Sequence, residues 1–452
     1  MAEPCIVASG RHWHARVLDL SVWHPRLSRA ARRCGAALAA CLLLALAGHA
    51  YAQSDAQRAA AAGELVNLKG QRVLRLFGTD ARERGFAHGY FLAADVVVAI
   101  EDALKSLPLF TAEKFEKQLV PWATRKFAWD AEATAELEGL YAGMCARLGA
   151  KGLLCQPLGR PLRQDDLYAA NVVADWFGPA CSAFTVWGTL TEDGKVIHAR
   201  NLDFPIGPRA SATQVVLAVS PAPAGATRPA RRAWVGVGWP GLISVYSGMN
   251  SEGLVCCLHD AMNVVRNGAR DGFIARGLLL RRMLETLDPS EGDPAEAAAR
   301  MAAERPVASG NLFHLSWPRA AADKARMAPT AVLEFDSAGR DGSSKPVAIR
   351  RPSDAAFIAL TNHYCVRRPP LECGRFERLQ QGLTQVSRDS ARLDAASARK
   401  LLICAEQTVV AHTLVFLPDQ RALTVSITRN NLLATRTPGT EFAWGELFAA
   451  AK

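Results

Sequence analysis

Beyond residue 52 the sequence has no apolar run long enough to span a bilayer, which takes about 20 residues. It has no block of lysine and arginine interleaved with aromatics, so nucleic acid is not expected as a partner. It has no C-x-x-C pair with histidines at ligand spacing, which argues against a structural zinc site. Internal repeats and heptads are missing too, which excludes solenoids and coiled coils. What is there is an ordinary globular composition of 452 residues, half of them hydrophobic and 21% charged. Length alone admits two or three domains, or one large α/β enzyme.

The formal charge of +10 is inflated by the N-terminus. Residues 1–52 hold six arginines and two acids, so the rest of the chain carries 47 basic and 41 acidic residues, or about +6. That mild excess fits solubility or a weak attraction for anionic substrates. Arg26, Arg29, Arg32 and Arg33 precede an apolar run from Gly35 to Gly48, and Ala50-Tyr51-Ala52 supplies the small-x-small pattern of a processing site. This predicts a signal peptide over residues 1–52, cleavage near Ala52, and a periplasmic or secreted protein with no stable membrane span after removal. An N-terminal membrane anchor is the alternative. Eleven cysteines are present, eight of them after residue 52. In an oxidising compartment some should pair, and local spacing nominates Cys145 with Cys155 and Cys365 with Cys373.

Residues 53–64 are rich in alanine and glutamine and read as a flexible start. Val73–Phe77 predicts a strand, Thr79 a helix cap, and helices follow to Ala99 and over Ala131–Leu148, so residues 65–178 read as mostly helical. The pattern changes at Cys181. Ser182–Leu190 and Val196–Asn201 are β-prone and flank Asp193-Gly194, a hairpin signal. Further strands are expected over Gln214–Val219, Ala233–Val237, Leu254–Leu258, Val332–Phe335 and Phe357–Leu360. A last hairpin is expected from Thr413–Leu417 and Ala422–Ile427. Leu278–Leu287 and Ala395–Ala405 look helical, and Pro221–Pro229 reads as a loop. Two groups of strands with helices between them predict a layered α/β (α+β) protein.

Cys181 stands at the start of a predicted strand, after the turn-like Phe177-Gly178-Pro179-Ala180. A cysteine in a strand is often a small hydrophobe. Pairing through the hairpin, however, returns Arg200 and Asp203 towards it. A guanidinium favours the thiolate, and an aspartate beside a free α-amine can orient it and hold its proton. An ion pair at the end of the hairpin is the plain alternative, worth little.

Further motifs follow in order: Gly248-Met249-Asn250-Ser251-Glu252-Gly253-Leu254, Leu360-Thr361-Asn362-His363 and Gly374-Arg375-Phe376-Glu377-Arg378. Upstream stand Gly85-Phe86-Ala87-His88-Gly89 and Leu137-Glu138-Gly139-Leu140. Together with Cys181 and Arg200-Asn201-x-Asp203, this set resembles the N-terminal-nucleophile hydrolase superfamily. It is most similar to the autoproteolytic penicillin acyltransferase branch, which is related to choloylglycine hydrolase. The resemblance covers roughly residues 72–427.

The resemblance implies a four-layer αββα sandwich with a mostly helical pro-region. Self-cleavage between Ala180 and Cys181 would give a pro-region or α subunit (53–180) and a catalytic β subunit (181–452), held as a heterodimer. It implies Cys181 as nucleophile, with its freed α-amine, of reference pKa near 8, as general base. Arg200 and Asp203 would tune the pair, Asn362 would donate to the oxyanion, and Arg375 would complete the charge network. Outside the resemblance, Asn362 reads as a strand-end turn residue and Arg375 as a solvated helix arginine. One position departs. Where bile-salt hydrolases place an oxyanion-assisting asparagine, this chain has Asp260, preceded by His259. A carboxylate there would repel the oxyanion. Residue 260 therefore serves through its backbone or in substrate recognition, where it would disfavour anionic leaving groups.

The expected activity is amide hydrolysis of small N-acyl compounds through a thioester, possible also as acyl transfer, with no metal or organic cofactor. A phospholipase-B-like or ceramidase-like lipid amidase is one rival reading. A non-catalytic periplasmic binding protein on the same fold is another.

Overall fold

Apolar residues alternate along the short strands, and most strands carry them on both faces. In Gln71–Phe77, Val73 faces one cluster while Leu74 and Leu76 face another. In Val215–Ser220, Val216 and Ala218 oppose Val215, Leu217 and Val219 in the same way. Such sheets must be covered on both sides, and two of them stacked with helices outside give four layers. The protein, seen in a computed structural model, is described over residues 54–107, 111–178, 180–221, 231–262, 271–336, 347–353, 355–367, 371–429 and 432–449. The signal peptide expected over 1–52 and most of the loop expected over Pro221–Pro229 lie outside the described residues.

The strands are β1 (Gly63–Leu68), β2 (Gln71–Phe77), β3 (Ala180–Val186), β4 (Ile197–Asp203), β5 (Val215–Ser220), β6 (Trp234–Gly238), β7 (Ser247–Asn250) and β8 (Val255–Asp260). They continue with β9 (Asn311–Ser316), β10 (Thr330–Phe335), β11 (Val347–Arg350), β12 (Phe357–Leu360), β13 (Val410–Leu417), β14 (Ala422–Ile427) and β15 (Thr440–Ala443). Among the described residues the larger of two main sheets runs β1-β2-β5-β6-β7-β8-β9-β10-β11 and the smaller β12-β3-β4-β13-β14-β15, apart from a short two-stranded ribbon of Leu154–Cys155 with Arg160–Pro161. Neighbours are antiparallel except β2 with β5, which are parallel. Between the sheets pack Val73, Val216, Val235, Met249, Leu414, Phe416 and Val425. On the outer face of the smaller sheet, α6 (Gly374–Arg388) and α7 (Ala395–Leu401) cover Phe184, Ala199 and Val415. Outside the larger sheet lie α1 (Ala81–Ser106), α2 (Ala131–Gly152), α3 (Gln164–Asn171), α4 (Arg276–Thr286) and α5 (Pro294–Ala303). The order is αββα. No helix of the described residues is long and apolar enough to cross a membrane.

The upstream region departs from expectation. Residues 54–62 are helical and β1 follows directly, so this stretch is not a loose start. Residues 65–178 are mostly helical, with the expected strand at Val73–Phe77, but β1 and β2 join the larger sheet, so the region does not simply pack alongside it. The reason lies in β2, whose apolar residues alternate and need cover on both faces. The cap of α1 is Asp80 rather than Thr79, and its carboxylate accepts from the backbone N–H of Arg82 and Glu83. The β3–β4 connection is longer than a two-residue turn and begins with a 3-10 turn at Gly188–Leu190. The proposed cysteine pairs are also corrected, because all eight cysteines after residue 52 are thiols without a disulfide. Cys373 lies beside Thr361, with Sγ 3.4 Å from Oγ1, and Cys155 is buried in the helix-side core.

The Gly85/Gly89 and Gly139/Gly143 spacings have a packing cause. On α1 and α2 these glycines face the opposite helix's backbone. A Cβ at Gly85 would meet the Glu136 carbonyl oxygen at 2.0 Å, and one at Gly89 the Leu140 oxygen at 1.9 Å. Reciprocally, Gly139 would meet Arg82 O at 2.0 Å and Gly143 would meet Phe86 O at 2.1 Å. Two helices approach this closely only where both lack side chains. Gly89→Ala should therefore destabilise by about 2–3 kcal/mol or more, the scale of overpacking against backbone that cannot give. Gly445→Ala, which meets nothing within 4 Å, should not. Urea unfolding of the two variants measures the contrast, and equal stability would contradict the interlock.

Candidate active site

Strand register brings the predicted residues together. Ala180 pairs with Asp203, Cys181 with Leu202 and Ala183 with Arg200. Cys181 shares its face with Ala183, so its side chain enters the space between the sheets. Asp203 lies on the other face, within reach of α6.

Each atom of Cys181 that chemistry would use has a partner. Arg200 Nη2 donates to Sγ at 2.8 Å. The other terminal nitrogen, Nη1, donates to Tyr246 O and Ser247 Oγ, both at 2.6 Å. The Cys181 backbone N–H donates to Asn362 Oδ1 at 2.8 Å, and the Cys181 carbonyl accepts from Arg375 Nη1 at 3.1 Å. Arg375 also reaches Asp203 Oδ2 at 3.2 Å through Nη1 and Asn362 Oδ1 at 2.9 Å through Nη2. Asn362 follows the end of β12, the partner of β3, and its Nδ2 donates to the Asp260 carbonyl at 2.8 Å. Arg375 is held in the first turn of α6 and is not a solvated helix arginine; it bridges Asp203, Asn362 and Cys181. All five predicted site residues thus form one connected cluster.

Burial dominates the electrostatics. It pushes the Cys181 thiol up to about 12, with Arg200 and Arg375 pulling the other way and Asp203 adding to the rise. Burial likewise raises the Asp203 carboxyl to about 7 against the pull of Arg375 and Arg200. Oδ1 of Asp203 is buried and has no hydrogen-bond partner. It is an acceptor on the residue that pairs with Ala180 across the β3–β4 ladder.

His259 and Asp260 separate. The His259 ring is fully buried between the sheets, 6.3 Å from the His314 ring, and held well below its usual pKa by burial. It is a neutral core group and donates to no described acceptor. The Asp260 carboxylate is not left alone. Arg276 Nη1 donates to Oδ1 at 2.7 Å, so the full repulsion expected of an isolated anion does not develop. Arg276, fully buried, also donates to the Ala174 carbonyl and faces Asp175. The same carboxylate packs on the segment before Cys181, where a Cβ at Gly178 would sit 1.9 Å from Asp260 Cγ. Sequence reading missed Arg276, Asp175, Ser247 and His412. The one signal for them was a charged or polar residue inside an otherwise apolar helix or strand.

Beside Phe204, next to Asp203, lies a cavity of about 50 Å³ lined almost wholly by apolar side chains, among them Leu104, Phe115, Trp239 and Leu242. No group of His, Cys, Asp and Glu among the described residues could hold a metal ion.

No protein-family profile and no curated protein sequence matches this chain. Solved structures are similar at low identity. An N-acylethanolamine-hydrolyzing acid amidase ortholog of Caenorhabditis elegans aligns at 12% identity and TM-score 0.38, over 53% of this chain and 93% of its own. A conjugated bile acid hydrolase of Clostridium perfringens, as its C2A mutant, aligns at 10% and 0.38, over 59% and 93%. A penicillin V acylase of Agrobacterium tumefaciens aligns at 12% and 0.38, over 59% and 87%.

Asp175 supplies a pH test of the buried cluster. Burial raises its carboxyl to about 7, against the pull of Arg276. The folded state therefore binds its proton more tightly than the unfolded chain does. That contribution is complete below the unfolded value near 4 and is lost as pH rises through about 7. Asp175→Asn cannot ionise, so relative to the wild type it should gain stability progressively as pH rises between those limits, approaching about 4 kcal/mol at the upper one. Urea titrations across that range give the difference, and a gain that grows towards acid would reverse the assignment.

Proposed function

We propose that this chain is an N-terminal-nucleophile amide hydrolase that cuts itself before Cys181. One observation carries the reading. The backbone N–H of Cys181 is held by a side-chain amide, its carbonyl by Arg375, and its sulfur by Arg200. A structural cysteine in a strand needs none of these.

In the self-cleavage step, Sγ attacks the Ala180 carbonyl carbon. The Ala180–Cys181 C–N bond breaks, the thiol proton ends on the departing nitrogen, and a thioester remains. Water hydrolyses it, leaving an Ala180 carboxylate and a thiol beside a new α-amine. In turnover that amine accepts the thiol proton, with Asn362 Oδ1 already 2.8 Å from the nitrogen and the Asp203 carboxylate on the residue paired with Ala180. Sulfur adds to the substrate carbonyl, and the Asn362 amide donates to the oxyanion that develops. The proton passes to the leaving amine, and water clears the thioester.

We take the apolar cavity beside Phe204 as the acyl pocket, although the five site residues do not line it, and its size would favour small acyl groups over lipid chains. A cavity of about 150 Å³ is what takes up benzene, so about 50 Å³ receives a short apolar acyl group unless side chains move. Export and release of residues 1–52 remain part of the proposal, as does a paired α/β assembly after the cut.

Two measurements test the reading. Denaturing electrophoresis of the purified protein should show fragments divided before Cys181, and Cys181→Ala should give one chain. Fragments persisting in that variant would assign the cut to another protease. Among N-acyl amides of increasing chain length, rates should fall from short to long. Phe115→Ala should shift the optimum to longer acyl groups, and a long-chain optimum in the wild type would favour the lipid amidase.

A further inference from the structure

A hydrogen-bond path with a single polarity leads away from Arg200, through groups that the proposed chemistry does not touch. Gln214, just before β5, donates through Nε2 to two carbonyls, Ala411 O at 2.9 Å and Ser211 O at 3.2 Å. Carbonyls only accept, so the Gln214 amide has one orientation and Oε1 faces the other way. That oxygen lies 2.8 Å from His412 Nδ1. Nδ1 must therefore carry the hydrogen, and the ring, fully buried, is neutral. Its Nε2 is then an acceptor, 3.1 Å from Ser247 Oγ. Ser247 must donate to it, which leaves the Oγ lone pairs to accept from Arg200 Nη1 at 2.6 Å. Guanidinium donates only, so the polarity is fixed at both ends.

Local structure builds this path deliberately. β13 pairs with β4 through an irregularity between Val410 and His412, opposite Asp203 and Leu202. The extra residue is Ala411, whose carbonyl is the one that fixes Gln214. A bulge re-aims the side chain that follows it, and here that side chain is His412. Gln214 and Ser247 come from the larger sheet, His412 and Arg200 from the smaller. The path therefore sets one guanidinium from both sheets at once.

We propose that Ser247, His412 and Gln214 are positioning residues that hold the Arg200 guanidinium so that Nη2 stays on the Cys181 sulfur as it ionises. The proposal rests on the reading of Cys181 as nucleophile. A serine whose hydroxyl had no fixed acceptor could turn its own hydrogen towards Arg200, and the guanidinium would lose that anchor.

The test follows iodoacetamide alkylation of Cys181 by peptide mass, across pH, with Cys256 in the same chain as internal standard. Glutamine carries its amide oxygen where His412 has Nε2 and can accept from Ser247; asparagine matches only Nδ1. His412→Asn and Ser247→Ala should slow Cys181 about tenfold at neutral pH and move its pH profile upward. His412→Gln should stay within about twofold of the wild type, and all should unfold at similar urea concentrations. If His412→Asn does not fold, Ser247→Ala against Ser247→Thr decides in the same way. Equal rates in all variants overturn the relay, as does His412→Gln as slow as His412→Asn, or a wild-type Cys181 no faster than Cys256. A wild type left uncut before Cys181 would overturn the self-cleaving reading and leave the relay measured.

Discussion

A guanidinium wholly out of water organises the interior. Arg200 is fully buried between two sheets, and removing such an ion from water costs several kcal/mol before any partner is found. Among the described residues no carboxylate lies within ion-pair distance of it. Its partners include the Cys181 sulfur, a carbonyl and a hydroxyl. The missing counter-charge is one the sulfur can supply by losing its proton. In the uncut chain desolvation still outweighs that pull and keeps the thiol protonated. The polar seam between the sheets, including the neutral His198, His259, His314 and His412, is the packing consequence of seating this cation there.

Both sides of the Ala180–Cys181 bond are anchored by arginines, from different directions. Downstream, Arg375 grips the Cys181 carbonyl and Asp203. Upstream, Arg276 holds Ala174 and faces Asp175, while its partner Asp260 packs on Gly178. Gly178 needs to be glycine because the Asp260 carboxyl already fills the space a Cβ would take. An aspartate that looked out of place as an oxyanion neighbour thus has a steric and ionic role in seating the segment before the bond.

Much of this was legible in the residues. Phe357–Leu360 and Ala422–Ile427 were read with the bounds they have, because apolar and β-branched runs flanked by turn residues leave little freedom. Cys181, Arg200, Asp203, Asn362 and Arg375 were nominated through ordered motifs, and the register of β3 with β4 joins them. β9 went unseen because Asn311, His314 and Ser316 interrupt its apolar pattern; His314 and Ser316 face the seam and Asn311 meets Arg276 on the other face, which no local window reveals. β2 is legible as a strand over Val73–Phe77, but β1 and the seating of both in the larger sheet are not, because the partner β5 lies far along the chain. His412 and Ser247 could not be assigned a role, since hydrogen-bond polarity is a property of the folded network alone.

The parallel pairing of β2 with β5 carries a consequence for assembly. If the chain is divided at residue 181, one sheet is made of two molecules, and a strand of the first is sewn between the backbone of its own β1 and that of the second. The fragments would separate only by tearing main-chain hydrogen bonds along Val73–Phe77 and exposing the helix-side core. Folding, unimolecular for the intact chain, would become a bimolecular encounter for the pieces and so depend on their concentration. The cut would act as a ratchet: a molecule that unfolds after it meets an entropic barrier on the way back that its precursor never faced.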